Sequence, residues 1–195
     1  MHMGVFDFLF RKKAVSIPGT REINAINTDI PEGKGCYTGY RYTATGVFGY
    51  SFRQGTTEVF SMSSSVMPNP DVCLTGFGKR LVHKHYNSAI TYVPGIRRNV
   101  VDGAENLQAF YEFESFCSFR MTAEDISASV RILSTGWIVY VGTEPVAEIQ
   151  RISESQRVRF SENGLDMESF FHVQIYDTAD SRLHPYILAI PMLGF

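Results

Sequence analysis

The sequence predicts a mainly β, single-domain protein in which an antiparallel β-barrel wraps a hydrophobic C-terminal helix. Three observations lead there. From Cys36 onward the chain breaks into many short strand-like runs separated by turn residues, the pattern of a barrel or a sandwich. The tail Tyr186–Phe195 carries no charge and almost nothing polar, and a helix that is apolar all round must be buried on every side. An open sheet cannot cover such a tail, whereas a closed barrel can. The alternative is a β-sandwich with Tyr186–Ile190 as a buried strand, because periodicity does not separate helix from strand in so short an apolar run.

Bulk properties agree with one domain. The 195 residues are 44% hydrophobic and 19% charged, enough apolar surface for a core and too little charge for disorder. The 15 Phe, 10 Tyr and 16 Gly favour strands and turns. A net charge of −2 gives no overall pull toward nucleic acid, so no nucleic-acid partner is expected. Cys36, Cys73 and Cys117 are odd in number and lack CxxC spacing, which reads as buried free thiols in a reducing cytoplasm. Val5–Phe10 is too short for a signal peptide, and its basic residues follow it instead of preceding it. No run approaches the roughly 20 apolar residues of a membrane span. The expected location is cytoplasmic, with peripheral membrane contact an option.

Residues 1–13 form an amphipathic segment. As a helix it places Val5, Phe6, Leu9 and Phe10 on one side, followed at once by Arg11, Lys12 and Lys13. Aromatic area beside cations suits an anionic membrane surface; the same segment equally suits a terminal helix docked on the domain or on a protein partner. Residues 14–35 are linker-like, with Pro18, Gly19, Pro31 and Gly33-Lys34-Gly35 around one short strand at Ile23–Ile26. The barrel domain then spans residues 36–195, with its plug at 183–195.

Within that domain, Cys36–Tyr42, Val47–Phe52, Val59–Met62, Val72–Phe77, Arg80–Tyr86 and Ala89–Val93 read as strands broken by Gly, Thr and Pro. Phe110–Met121 alternates most clearly, with Tyr111, Phe113, Cys117, Phe119 and Met121 on one face and Glu112, Glu114, Ser118 and Arg120 on the other. Thr122–Leu133 is open. Thr122 and Asp125 suit a helix start, while Ile126, Ala128, Val130 and Ile132 equally make a strand face. Trp137–Val141 and Val146–Ile152 flank a four-residue loop, Gly142–Pro145. Asn163-Gly164 is a favoured turn pair, and Phe171, Val173 and Ile175 alternate with polar neighbours before the tail. There Pro185 suits a first helical turn, and Pro191 interrupts the helix near its end.

The stretch Trp137–Arg151 (WIVYVGTEPVAEIQR), then Phe171–Asp177 (FHVQIYD), then Ile187–Pro191 (ILAIP) resembles the tubby C-terminal-like superfamily, which includes the phospholipid scramblases and the LURP-one-related proteins. The likeness covers Gln108–Phe195 and is one of pattern. It implies a closed antiparallel barrel around a C-terminal helix. Within that superfamily, tubby proteins bind phosphoinositide headgroups through basic barrel residues, which makes lipid-headgroup binding one option without carrying a lipid ligand over to this chain. No position of this chain matches the superfamily's headgroup residues one by one.

Candidate chemistry is sparse. His83 and His85 form an H-x-H that would project two imidazoles from one side of a strand, a zinc site only with a third ligand such as Cys73 or Cys117. No GxSxG, HExxH or P-loop pattern occurs. Glu112 and Glu114 read as a solvated face. No enzyme activity, cofactor or metal is therefore expected. Basic residues group at Lys79-Arg80, Lys84, Arg97-Arg98 and Arg157/Arg159, with Arg97 and Arg98 the first candidates for an anionic headgroup and a solvated face the default for each group.

Overall fold

A computed structural model describes residues 35–44, 46–65, 71–84 and 94–193. Thirteen strands follow one another: β1 (Cys36–Ala44), β2 (Val47–Gln54), β3 (Thr57–Ser65), β4 (Val72–Gly76), β5 (Lys79–His83), β6 (Arg97–Val101), β7 (Leu107–Ser115), β8 (Ser118–Ala123), β9 (Ile126–Leu133), β10 (Gly136–Val141), β11 (Glu144–Arg151), β12 (Arg159–Glu162) and β13 (Leu165–Ile175). Each pairs antiparallel with its neighbour from β1 to β11; β11 then pairs with β13, and β13 closes the ring on β1. Twelve strands thus make a closed barrel, as expected. β12 stands outside the ring, continuing along β13 where β11 stops.

The wall is built from hairpins whose parity the sequence carries. On β7 and β8, Tyr111 lies opposite Met121 and Phe113 opposite Phe119, all buried inside. The run expected to be one strand is therefore two. Ser115 and Ser118 at the turn are three positions apart, but the bulge at Glu114 makes Tyr111–Met121 and Phe113–Phe119 an even number apart. Here, then, alternation stays in phase through the turn and the hairpin reads like a continuous strand. Phe116 and Cys117 are the turn, so Cys117 is exposed, against the expectation of a buried thiol; Cys73 is half-buried and Cys36 is buried. Thr122–Leu133 resolves as strand: Ala123 pairs with Ile126 across a Glu124-Asp125 turn, and Ala128 and Val130 face inward. The β10–β11 loop is tighter than expected, two residues instead of four. Asn163 and Gly164 both hold positive φ, the left-handed pair that a two-residue hairpin turn needs.

The tail enters the barrel as a short helical rod: a 3-10 turn (Ser181–Leu183), α1 (His184–Ala189) and a second 3-10 turn (Ile190–Leu193). Leu183 and Tyr186–Ile190 are at most 2% exposed. They pack within a shell of Phe52, Phe60, Met62, Phe113, Phe119, Met121 and Val139. The helix reading holds and the sandwich alternative falls. The tight ending follows from Pro191, which has no N–H to return to the Ile187 carbonyl. That carbonyl accepts instead from Ile190 N–H. The Tyr186 carbonyl consequently loses its regular donor, and Tyr111 on the wall donates its hydroxyl there at 2.8 Å. A buried acceptor left unpaired would cost about 1–3 kcal/mol.

All turns alternate between two ends. At the entry end lie the β4–β5, β8–β9 and β10–β11 turns and the start of the rod. At the opposite end, here called the mouth, lie the β1–β2, β7–β8 and β9–β10 turns and the β11–β12 connection. Outward residues such as Glu112, Glu114, Arg120 and Arg131 are polar, the reverse of a barrel with a lipid-facing apolar band. Among the described residues no helix is long and apolar enough to cross a membrane.

Candidate functional site

The sequence candidates do not converge. Phe6, Leu9, Phe10, Arg11, Lys12 and Lys13 lie outside the described residues, as do Ile23–Ile26, His85 and Ala89–Val93. His83 is 2% exposed and turns its ring toward Tyr111 inside the barrel. Cys73, between inward Val72 and Leu74, faces the other side of the sheet, and Cys117 sits on an exposed turn. Cys73 and His83 thus lie on opposite faces of the sheet, and the described residues hold no group of three or more His, Cys, Asp or Glu arranged for a metal. Arg97 and Arg98 are split by strand alternation. Arg97 lies outside, over Phe110 and 3.5 Å from Glu112, whereas Arg98 is 2% exposed and points in toward Phe113. The two form no joint surface for a headgroup. Glu112 and Glu114 pair with Arg97 and Arg120 on the outer face.

A different cationic site stands at the mouth, where β1, β12 and β13 run past the closed ring. Arg41 on β1 and Arg159 on β12 lie directly opposite Glu168 on β13, one on each side. The result is a cross-strand row with a carboxylate between two guanidiniums. Their nitrogens stand 3.1 and 2.9 Å from the Glu168 oxygens, and Arg157 reaches the same carboxylate at 3.6 Å. Three guanidiniums on one carboxylate leave a formal +2. Burial pushes the Glu168 carboxyl up, but the guanidiniums of Arg159, Arg157 and Arg41 outweigh it and hold the group below its ordinary value. It stays ionised at neutral pH, and the surplus persists.

Aromatic rings lie against the guanidiniums. Phe170, the extra residue of a bulge in β13 opposite Gly39/Tyr40, carries Arg157 at 3.8 Å and Arg41 at 4.3 Å from its centroid. Behind it Phe171 packs against Tyr50 and Trp137, and Arg151 lies 4.9 Å over the Trp137 ring. Burial raises the Tyr50 hydroxyl's pKa, and Arg41, Arg151 and Arg157 draw it partly back. The guanidiniums of Arg41 and Arg157 also reach Glu168, and Arg157 donates its Nε to the Ile152 carbonyl at 3.4 Å. Arg41 and Arg159 keep 45% and 70% of their side-chain surface exposed. The arrangement can hold a compact polyanion by bidentate hydrogen bonds and charge. It offers no nucleophile paired with a base.

Of these residues the sequence singled out only Arg157 and Arg159, as a local basic group. Arg41 is 116 positions from Arg157, and nothing in spacing marks it; only the β1–β13 closure brings it there. No family model, no curated protein and no solved structure matches the chain.

Proposed function

We propose that this chain is a non-catalytic binding module that recognises an anionic lipid surface through headgroup phosphate at the barrel mouth. The observation that carries the reading is the set Arg41, Arg157 and Arg159 sharing one carboxylate, Glu168, with Arg41 and Arg157 over the Phe170 ring. Phosphate matches such a site because it accepts several charge-assisted hydrogen bonds at once. The resemblance to tubby-like barrels, some of which bind lipid headgroups, agrees with this reading, although none of the superfamily's headgroup residues is matched position by position.

Co-sedimentation with vesicles tests it. The full chain pellets with anionic vesicles, not with neutral ones, and pelleting falls as salt rises. Each cation near such a surface contributes about 1 kcal/mol, so Arg41→Gln with Arg159→Gln lowers the partition coefficient by roughly twentyfold or more. If the double variant pellets like the parent while a chain starting at Ala14 does not, the affinity belongs to Phe6, Leu9, Phe10, Arg11, Lys12 and Lys13. If nothing pellets at low salt, a protein partner replaces the lipid reading.

A further inference from the structure

The mouth also carries the most exposed apolar side chain among the described residues. Phe116, at the tip of the β7–β8 hairpin, is 81% exposed, and Leu133, at the end of β9, is 44% exposed. The two are neighbours, because Ile132 N–H donates to the Cys117 carbonyl at 2.8 Å. The rim then continues without a gap toward the arginines. Gly136 pairs with Leu133 across the β9–β10 turn, and Arg151 N–H donates to the Thr135 carbonyl at 2.7 Å. Beyond Arg151 come Arg157, Arg159 and, across β13, Arg41. Phe48, 37% exposed on β2, sits opposite Thr43, two residues past Arg41. Apolar tips and cations thus occupy one end of the barrel.

The entry end supplies the contrast. It too exposes apolar groups, Phe77 and Leu107. That end also carries Asp102, Glu105, Glu124, Asp125 and Asp180, of which Glu105 pairs with Lys84 and the last three share Lys79 and Arg182, leaving them a formal −1. The mouth has further acids in Glu154, Glu162 and Asp166. Its ion-paired cluster around Glu168 is nonetheless in surplus by +2, whereas that around Arg182 is at −1, and this local balance favours the mouth.

We infer that the barrel docks end-on, mouth first, on an anionic bilayer. Phe116 and Leu133 enter the acyl boundary while Arg41, Arg151, Arg157 and Arg159 sit at the headgroup phosphates. This rests on the anionic-lipid reading above and adds to it an orientation and an inserting hairpin. An aromatic on a rigid two-residue turn inserts at small entropic cost, since the strands behind it are already ordered. Cations set beside it at headgroup depth contribute from the same pose.

Tryptophan placement tests the pose in the full chain. Phe116→Trp and, at the opposite end, Leu107→Trp are mixed with anionic vesicles whose acyl chains are brominated. Trp137, the only native Trp, is 1% exposed, and the unsubstituted chain supplies its background. The expected result is strong quenching at position 116 and none at 107. Phe116→Asp, on an exposed turn, keeps the parent melting temperature and lowers the partition coefficient by about tenfold or more, the size expected for losing one buried aromatic. If the parent pellets but 116 is unquenched and Phe116→Asp pellets equally, the pose is wrong and the headgroup reading survives. If the parent does not pellet, both fall together.

Discussion

The two ends of the barrel use the same residue types to opposite effect. At the entry end Lys79 and Arg182 meet Glu124, Asp125 and Asp180. Arg182 reaches all three acids within 3.4 Å, and Lys79 reaches Glu124 at 3.0 Å. Those five charges sum to −1, and each faces an opposite partner. They tie the start of the rod to the β8–β9 turn and β5, holding the plug where the chain enters. At the mouth Arg41, Arg157 and Arg159 share one Glu168 and sum to +2. At the entry end the charges are compensated and serve the fold; at the mouth they are in surplus, the feature on which the proposed ligand site rests. An ion pair by itself therefore does not mark a site, and the local balance of signs does.

The comparison can be broken first at the plug. Ile187→Asp places an unpaired carboxylate at a position that is 0% exposed. The cost is several kcal/mol, a large part of the total stability of a typical domain. The variant should lose its cooperative thermal transition or aggregate on expression. A parent-like melt would show that the rod is not the core the entry-end charges serve.

Next comes a pair of matched substitutions. Glu168→Gln raises the mouth surplus from +2 to +3. It should strengthen pelleting on anionic vesicles roughly fivefold, at one charge's worth of about 1 kcal/mol, while lowering stability by about 1 kcal/mol after solvent screening. Glu124→Gln, its counterpart at the entry end, should lower the melting temperature slightly and leave pelleting unchanged. Equal effects on pelleting would erase the distinction between the ends.

The smallest effect concerns acid. Arg182, by side-chain and backbone hydrogen bonds, holds the Asp180 carboxyl down at about 2, against an ordinary 3.8. A depressed carboxyl stabilises the folded state above its unfolded value, and that contribution fades as pH falls toward the folded one. Between about pH 4 and 2 the parent should therefore lose slightly more stability than Asp180→Asn, read as a shallower acid limb in the variant. Superimposable acid limbs would mean that this bond holds the plug no more firmly than water would.

Much of the wall was legible because its signal is local. Tyr111, Phe113, Phe119 and Met121 announce one buried face, and Asn163-Gly164 announces its turn from residue type alone. Where parity persists across a tight turn, as at Phe116-Cys117, the same signal hides the turn. For Thr122–Leu133 the local signal was double, and only pairing with β8 and β10 selected strand over helix. The candidate site was legible only at Arg157 and Arg159. Arg97 and Arg98, adjacent in sequence, were parted by the alternation of the strand that holds them.

By itself, then, the chain determined that most residues are strand and that the apolar tail is buried. Both follow from side-chain alternation and from the cost of leaving such a tail in water, which need no partner to be named. The tertiary structure alone decided where charge accumulates. Arg41 and Glu168 meet because β1 closes the ring on β13, a pairing of residues 127 positions apart. Coulomb interactions depend on distance in space, and no local pattern records which strand ends a barrel brings together.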